Sequence, residues 1–280
     1  LLNGQAIIYN NSCTILDRLP RYIKSAKKII FDNEGNLWTF RGNTITKTLI
    51  SSLWHYWDFQ NDFNSGFINE IIKSKDGFIW IATGSGVEKL YQGKLIKSWT
   101  KIGDKKKTVV TSIIEDKFGR KWIGSGSDFS NVYFLNKNDE WKKLEIIPNN
   151  ENIFVHKIRK DSKERLWFLT LSHSPDFEGY GAICYDFKSL TFWNQKKGLL
   201  SNRIYDFLED STGAYWFATN NGLFRFKNNK WTCWNEKNGL NSNKVFTLEL
   251  HPDGKTVFFS NYTFGAVSYT HLTLPTIYSV

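Results

Sequence analysis

NRIYDFLEDSTGAYWFATNNGLFRFKNNKWTCWNEKNGLNS, residues 202–242, is the stretch that decides the fold. RIYDFLED is a short alternating segment that ends at a turn, STG reverses the chain, and AYWFAT starts a second strand. NNG places a glycine where a two-residue hairpin needs positive φ, and it leads into LFRFK. KNN turns the chain again and KWTCWNE makes a fourth strand. KNGLNSN then connects to KVFTLEL, the first strand of the next copy. Four strands joined by tight turns form a meander, lettered A to D from the centre of a ring outwards.

Working outward, the same frame recurs. Trp38, Trp80, Trp122, Trp167 and Trp216 follow one another at steps of 42, 42, 45 and 49 residues, each three residues after a glycine or its substitute. HPDGKTVF at 251–258 continues the series with Val257 in place of tryptophan. A period of this length fits one four-stranded sheet, so the expected class is all-β, a β-propeller of four-stranded blades. Five complete blades are expected. Half blades fall at 1–20 (strands C and D) and 243–260 (strands A and B). The halves complete a sixth blade if the ring closes; otherwise the chain is an arc of a seven-bladed ring. The tryptophans are expected to pack between neighbouring blades. Asp32, Asp116, Asp161 and Asp210 are expected to bind amides of the A–B turns rather than form a catalytic ring.

Aromatic residues make up 16% of the 280, which suits broad sheet faces packing together. The net charge of +10 is carried by lysines spread over loops and turns, with no arginine-rich arm, so no nucleic-acid partner is expected. Cys13, Cys184 and Cys233 form no CxxC pair, and no metal site or cofactor is expected. No apolar run is long enough to span a bilayer. The chain begins LLNGQAII and contains no methionine, as expected of a piece cut from a longer protein. Residues 266–276, AVSYTHLTLPT, resemble a translated sequencing adaptor. The expected organisation is therefore a propeller over 1–265 and a non-native tail over 266–280.

EDSTGAYWFATNNGLFRF with KNGLNSNKV, EDKFGRKWIGSGS, and the second linker KKGLLSNRI resemble the two-component regulator propeller repeat. The resemblance spans about residues 1–265, with Glu164 for glycine, Ser74 for aspartate and Val257 for tryptophan as departures. It implies the periplasmic or extracytoplasmic sensor of a membrane-anchored, dimeric regulator, often a hybrid histidine kinase of Bacteroidetes. Such sensors commonly respond to oligosaccharides. A further propeller, an immunoglobulin-like domain, a membrane helix and a kinase usually follow.

In a propeller the D–A connections and B–C loops share one face, where loops from several blades converge on the channel mouth. On the D–A segments the candidates are Asn202, Arg203, Asn243 and Lys244, with Asn64 and Ser65 earlier. For serine and asparagine, closing the loop is the preferred role. The most individual segment is LSHSPDFEGY at 171–180, which replaces a short B–C turn. His173, Asp176, Phe177, Glu178 and Tyr180 there offer an aromatic platform and hydrogen-bonding groups for a sugar. Asp128, in the loop Ser125–Ser130, is a second choice.

Three function classes compete. A non-catalytic sensory module that binds an oligosaccharide or other small ligand needs no nucleophile or metal cluster, and the sequence offers neither. A propeller enzyme of the streptogramin-lyase type needs a base, and His156 on IFVHKIRK is the histidine able to face the channel; an ordinary strand role is the expectation for it. A protein-interaction scaffold remains the third.

Overall fold

The computed structural model describes residues 67–261 apart from 104, 107, 127–130, 148–152, 173–178 and 255; outside that span it describes strands only. The described residues fall into two compact units, 1–123 with 133–142, and 124–132 with 143–280. Both are built from antiparallel four-stranded sheets in simple A-B-C-D order, as the repeat predicts. The first sheet is Lys28–Phe31, Leu37–Arg41, Thr44–Thr48 and Trp54–Asp58; the second is Ile68–Lys73, Ile79–Thr83, Gly86–Tyr91 and Lys94–Trp99. The third comprises Val110–Glu115, Lys121–Ser125, Val132–Leu135 and Trp141–Leu144. The fourth comprises Ile153–Lys160, Leu166–Ser172, Ala182–Tyr185 and Leu190–Trp193, and the fifth Ile204–Glu209, Tyr215–Thr219, Gly222–Lys227 and Lys230–Trp234. A hairpin, Ile7–Tyr9 with Cys13–Ile15, matches the half blade expected at 1–20.

The sixth sheet differs from its expectation. Val245–Leu250 and Val257–Asn261 supply the A and B strands, and Gly265–Tyr269 and Tyr278–Ser279 continue the sheet. Val257 pairs with Tyr269 and Ser268 with Tyr278, so segments set apart by sequence as a tail take C and D positions. The alternation of AVSY is enough for strand pairing whatever its origin.

The A–B turns of the third, fourth and fifth sheets are held as their aspartates predict. Asp210 Oδ1 accepts from the Thr212 and Ala214 amides at 2.8 and 3.0 Å, and Oδ2 accepts from Trp216 Nε1 at 2.8 Å. Asp116 and Asp161 repeat this, binding Trp122 Nε1 at 2.7 Å and Trp167 Nε1 at 2.9 Å. The aspartate thus fixes the turn and aims the indole, so turn and core are one device. Ser74 replaces it by accepting from Trp80 Nε1 at 3.2 Å. Glu164, standing for glycine, adopts φ 60° and bears the left-handed turn itself. Asp32 lies outside the described residues.

The tryptophans sit in apolar layers between successive sheets. Trp167, fully buried, stacks on Phe207 of the fifth sheet with centroids 4.1 Å apart. Trp216 packs with Val245, Leu248, Val257 and Phe259 of the sixth. In the first unit Trp38, Phe40 and Ile45 pack with Ile68, Ile71 and Ile81. Truncating a buried ring of this size costs about 3–5 kcal/mol, which is why the spacing is kept.

The B–C hairpins close by a second rule. Thr83 Oγ1 donates to Gly86 O and Thr219 Oγ1 to Gly222 O, each across two turn residues. Gly222 has φ 119°, and a Cβ there would lie 2.2 Å from the carbonyl oxygen of Trp234, so only glycine fits. Gly86 and Gly181 face the carbonyls of Trp99 and Trp193 in the same way.

Candidate functional site

The A strands of the second unit carry an ionic cluster. Each A strand has a bulge near its start: the register shifts between Val155 and Lys157, between Ile204 and Asp206, and between Val245 and Thr247. That places Lys157, Asp206 and Thr247 at equivalent positions of three successive sheets. Asp206 is fully buried. It accepts from Lys157 Nζ at 2.6 Å, from Arg159 Nε and a terminal Arg159 nitrogen at 2.8 and 2.9 Å, and from Thr247 Oγ1 and the Leu248 amide at 3.1 Å. Burial works to raise its carboxyl, but Lys157 and then Arg159 outweigh it and hold Asp206 well below the usual carboxylate range. The first unit has a neutral-donor version, in which Glu70 Oε2 accepts from Ser112 Oγ at 2.6 Å and the Ile113 amide at 2.9 Å. These carboxylates join neighbouring A strands and are engaged by the protein itself.

His156 is the bulge residue of the fourth sheet. Its Nε2 lies 3.1 Å from the carbonyl oxygen of Tyr205, so Nε2 carries the proton. Burial pushes the imidazole down to about 4, against the opposing effect of that hydrogen bond. A neutral histidine held this way is a structural link between sheets and a poor general base near neutrality.

The connections into the A strands are built alike. In 194–202, Asn194 Oδ1 accepts from the Lys196 amide and Asn202 Oδ1 from the Gln195 amide at 2.9 Å. In 235–243, Asn235 Oδ1 accepts from the Lys237 amide and Asn243 Oδ1 from the Glu236 amide at 2.8 Å. Ser201 and Ser242 then receive the amides of Arg203 and Lys244 at 2.9 and 3.3 Å. The serine–asparagine pair therefore closes the loop, as expected of it. Arg203 and Lys244 stand at one equivalent position, directly before the first A-strand residue.

The segment at 171–180 keeps the hairpin closure and enlarges what lies inside it. Thr170 Oγ1 donates to Gly181 O at 2.7 Å and receives the Tyr180 amide at 3.0 Å, the bonds that Thr219 makes with Gly222 and Asn221. Ten residues lie between Thr170 and Gly181, where two lie between Thr219 and Gly222. The pairs Phe154–Leu171 and Ile153–Ser172 lengthen the A–B ladder beneath the insertion. Gly179 packs against the backbone of Asn202, since a Cβ there would lie 3.5 Å from the Asn202 carbonyl oxygen. Insertion and D–A connection thus meet at one end of the fourth and fifth sheets.

Of the candidates read from sequence, Tyr180 is half-buried, with its ring edge-on to Phe192 at 6.2 Å. Arg203 is half-buried and Lys244 exposed. His173, Asp176, Phe177, Glu178 and Asp128, with Asn64 and Ser65, lie outside the described residues. Sequence reading missed Asp206, Lys157 and Arg159. The usable signal was charge at the buried phase of A strands, in IYDFLE and HKIRK. Among the described residues no group of three or more His, Cys, Asp or Glu is placed to hold a metal. Cys184 and Cys233 are free, and burial pushes the Cys184 thiol up to about 11, consistent with an apolar packing role.

Residues 198–221 match the family described as two component regulator propeller. The matched segment contains the Gly198 linker together with the Asp210 turn and Trp216, which one carboxylate couples. Comparison with curated protein sequences gives no match. Among solved structures, a domain described as the extracellular part of a hybrid two component system from B. thetaiotaomicron is similar at TM-score 0.70 and 21% identity. That match covers 95% of this chain and 36% of that one. Virginiamycin B lyase from Staphylococcus aureus, in a catalytically inactive form with quinupristin, is similar at TM-score 0.68 and 14% identity, covering 89% of this chain and 82% of that one. PorZ, a surface component of the type-IX secretion system of Porphyromonas gingivalis, gives TM-score 0.66 at 12% identity, covering 94% and 43%. At these identities the likeness is one of fold, and that fold is shared by an extracellular domain of a two component system and by a lyase alike.

Proposed function

We propose that this chain is the ligand-sensing propeller of an extracytoplasmic two-component sensor, one that binds an oligosaccharide without converting it. The parent would be a longer, membrane-anchored, dimeric protein. The observation that carries the reading is the insertion between Thr170 and Gly181. It leaves every bond of the hairpin closure in place and adds eight residues to the end where the D–A connections lie. Loops at that end are the part of a propeller free to vary without cost to the blades. The test is titration calorimetry against a broad oligosaccharide panel. The wild type is compared with a variant carrying Asn-Asn, the turn of the fifth sheet, between Thr170 and Gly181. Saccharide binding that is lost in the variant supports sensing; a panel with no binder refutes it.

A lyase is the second reading, favoured by the shared fold with virginiamycin B lyase. The histidine able to act as its base, His156, is half-buried, neutral and bonded to a backbone carbonyl, which argues against that role. Turnover of a streptogramin substrate abolished by His156→Ala would overturn the non-catalytic reading. Stable capture of a protein partner with no saccharide affinity would favour a scaffold.

A further inference from the structure

In the second to sixth sheets one aligned position near the start of the A strand, the residue ahead of Ile68, Val110, Val155, Ile204 and Val245, holds Phe67, Val109, Phe154, Arg203 and Lys244; in the fourth sheet the strand begins one residue earlier, at Ile153. Three copies accept an apolar side chain there, so the fold does not require a cation. Two neighbouring copies nonetheless carry one. The same two connections carry a second cation at another shared position: Lys196 and Lys237 both donate their amides to the capping asparagines Asn194 and Asn235. The spacing is identical, 41 residues from Lys196 to Lys237 and 41 from Arg203 to Lys244.

These four side chains are not spent within the protein. Lys196, Lys237 and Lys244 are exposed, and among the described residues none of the four pairs with a carboxylate. Arg203 Nε is shut off from solvent with no hydrogen-bond partner, a donor left without an acceptor. The one acid in segments 194–203 and 235–244 is Glu236, and its Oε1 is taken by the Asn243 amide at 3.0 Å. Asp206, three residues beyond Arg203, is saturated by its own partners.

Resting on the sensing reading above, we infer that the ligand is an acidic saccharide. Its carboxylate or sulfate groups are held by two like subsites, Lys196 with Arg203 and Lys237 with Lys244. Arg203 supplies the directional donor and the lysines supply charge. The lysine-rich turns at the opposite end of the same sheets, around Lys188 and Lys230, show no such repeated pairing and serve as the internal control.

The experiment is calorimetric titration of the full chain with a neutral oligoglucan, an oligogalacturonate and a sulfated oligosaccharide of equal length, at low and moderate salt. A single-stranded oligonucleotide of matched charge is the polyanion control. The acidic oligomers are expected to bind at least about tenfold tighter than the neutral one, with affinity falling as salt rises. K196Q/R203Q and K237Q/K244Q should each lose about tenfold or more. K188Q/K230Q should match the wild type, and thermal melts of all three should coincide. The carboxylated and sulfated arms identify the anionic group. Equal affinity for the neutral oligomer overturns the inference while leaving sensing intact. An equally strong response to K188Q/K230Q or to the oligonucleotide also overturns it, as nonspecific charge capture. No saccharide binding of any kind refutes the sensing reading itself.

Discussion

His156 makes the stability of this protein depend on pH in a window where few other groups titrate. In the folded chain its imidazole is pushed from 6.5 to about 4 by burial, with Lys157 adding to the shift and the Tyr205 carbonyl and Asp206 opposing it. The folded pKa lies below the unfolded one, so stability is fully present above pH 6.5. As pH falls toward 4, the unfolded chain takes up a proton that the folded chain refuses. A shift of this size corresponds to about 3 kcal/mol, lost at up to roughly 1.4 kcal/mol per pH unit. Carboxylates held low, Asp206 among them, add their own loss only below about pH 4. The assay is urea denaturation of the wild type and His156→Gln at half-unit steps from pH 7.5 to 4.5. Glutamine keeps an N–H for the Tyr205 carbonyl and never charges, so the difference between the two curves isolates residue 156. That difference should narrow, in favour of the variant, by roughly 2–3 kcal/mol over the window. Parallel curves would refute the argument, because they would mean that the imidazole takes its proton as readily folded as unfolded.

Other perturbations follow from the same geometry. Asp206→Ala leaves Lys157 and Arg159 without their counter-ion and should cost about 3–5 kcal/mol in urea melts, whereas Asp206→Asn, which keeps an acceptor, should cost less. Asp210→Ala strips acceptors from two turn amides and the buried Trp216 indole, and a loss of about 2–4 kcal/mol by denaturation is expected; the same change at exposed Asp139 should be nearly silent. Gly222→Ala meets the Trp234 carbonyl at 2.2 Å and should cost well over 2 kcal/mol, against about 1 for Gly213→Ala, where φ is 75° but the nearest atom is 3.9 Å away. Equal thermal shifts for the two glycine variants would refute the steric account of the hairpin.

The blades were legible because each local rule is written in adjacent residues. Asp210, Gly213 and Trp216 lie within seven positions, and the structure shows one carboxylate binding both the turn and the indole. The serine–asparagine closure was legible for the same reason, since Gln195 and Asn202 meet across a single loop. The Asp206 cluster was not. Its partners come from residues 157, 159, 247 and 248, brought together by three bulges whose extra residue no alternation pattern reveals. A bulge shifts the in–out phase by one, so Asp206 reads from sequence as a residue of either face. The sixth sheet escaped for a different reason: its C and D strands are formed by sequence unlike the repeat, so no motif marks them.

What separates structural from functional residues here is whether the repeat explains them. The turn aspartates, tryptophans and hairpin glycines recur because every sheet needs them, and their polar atoms are consumed in place. Asp206 is individual, but its bonds are also spent inside the protein, on the strands either side of it. Arg203 and Lys244 are neither recurrent nor spent: other copies hold phenylalanine or valine at their position, and Arg203 keeps a sequestered donor without an acceptor. Leaving such a donor unmade costs about 1–3 kcal/mol. The charges of Lys196, Lys237 and Lys244, by contrast, stay exposed on the D–A connections, at the same end of the sheets as the insertion after Thr170.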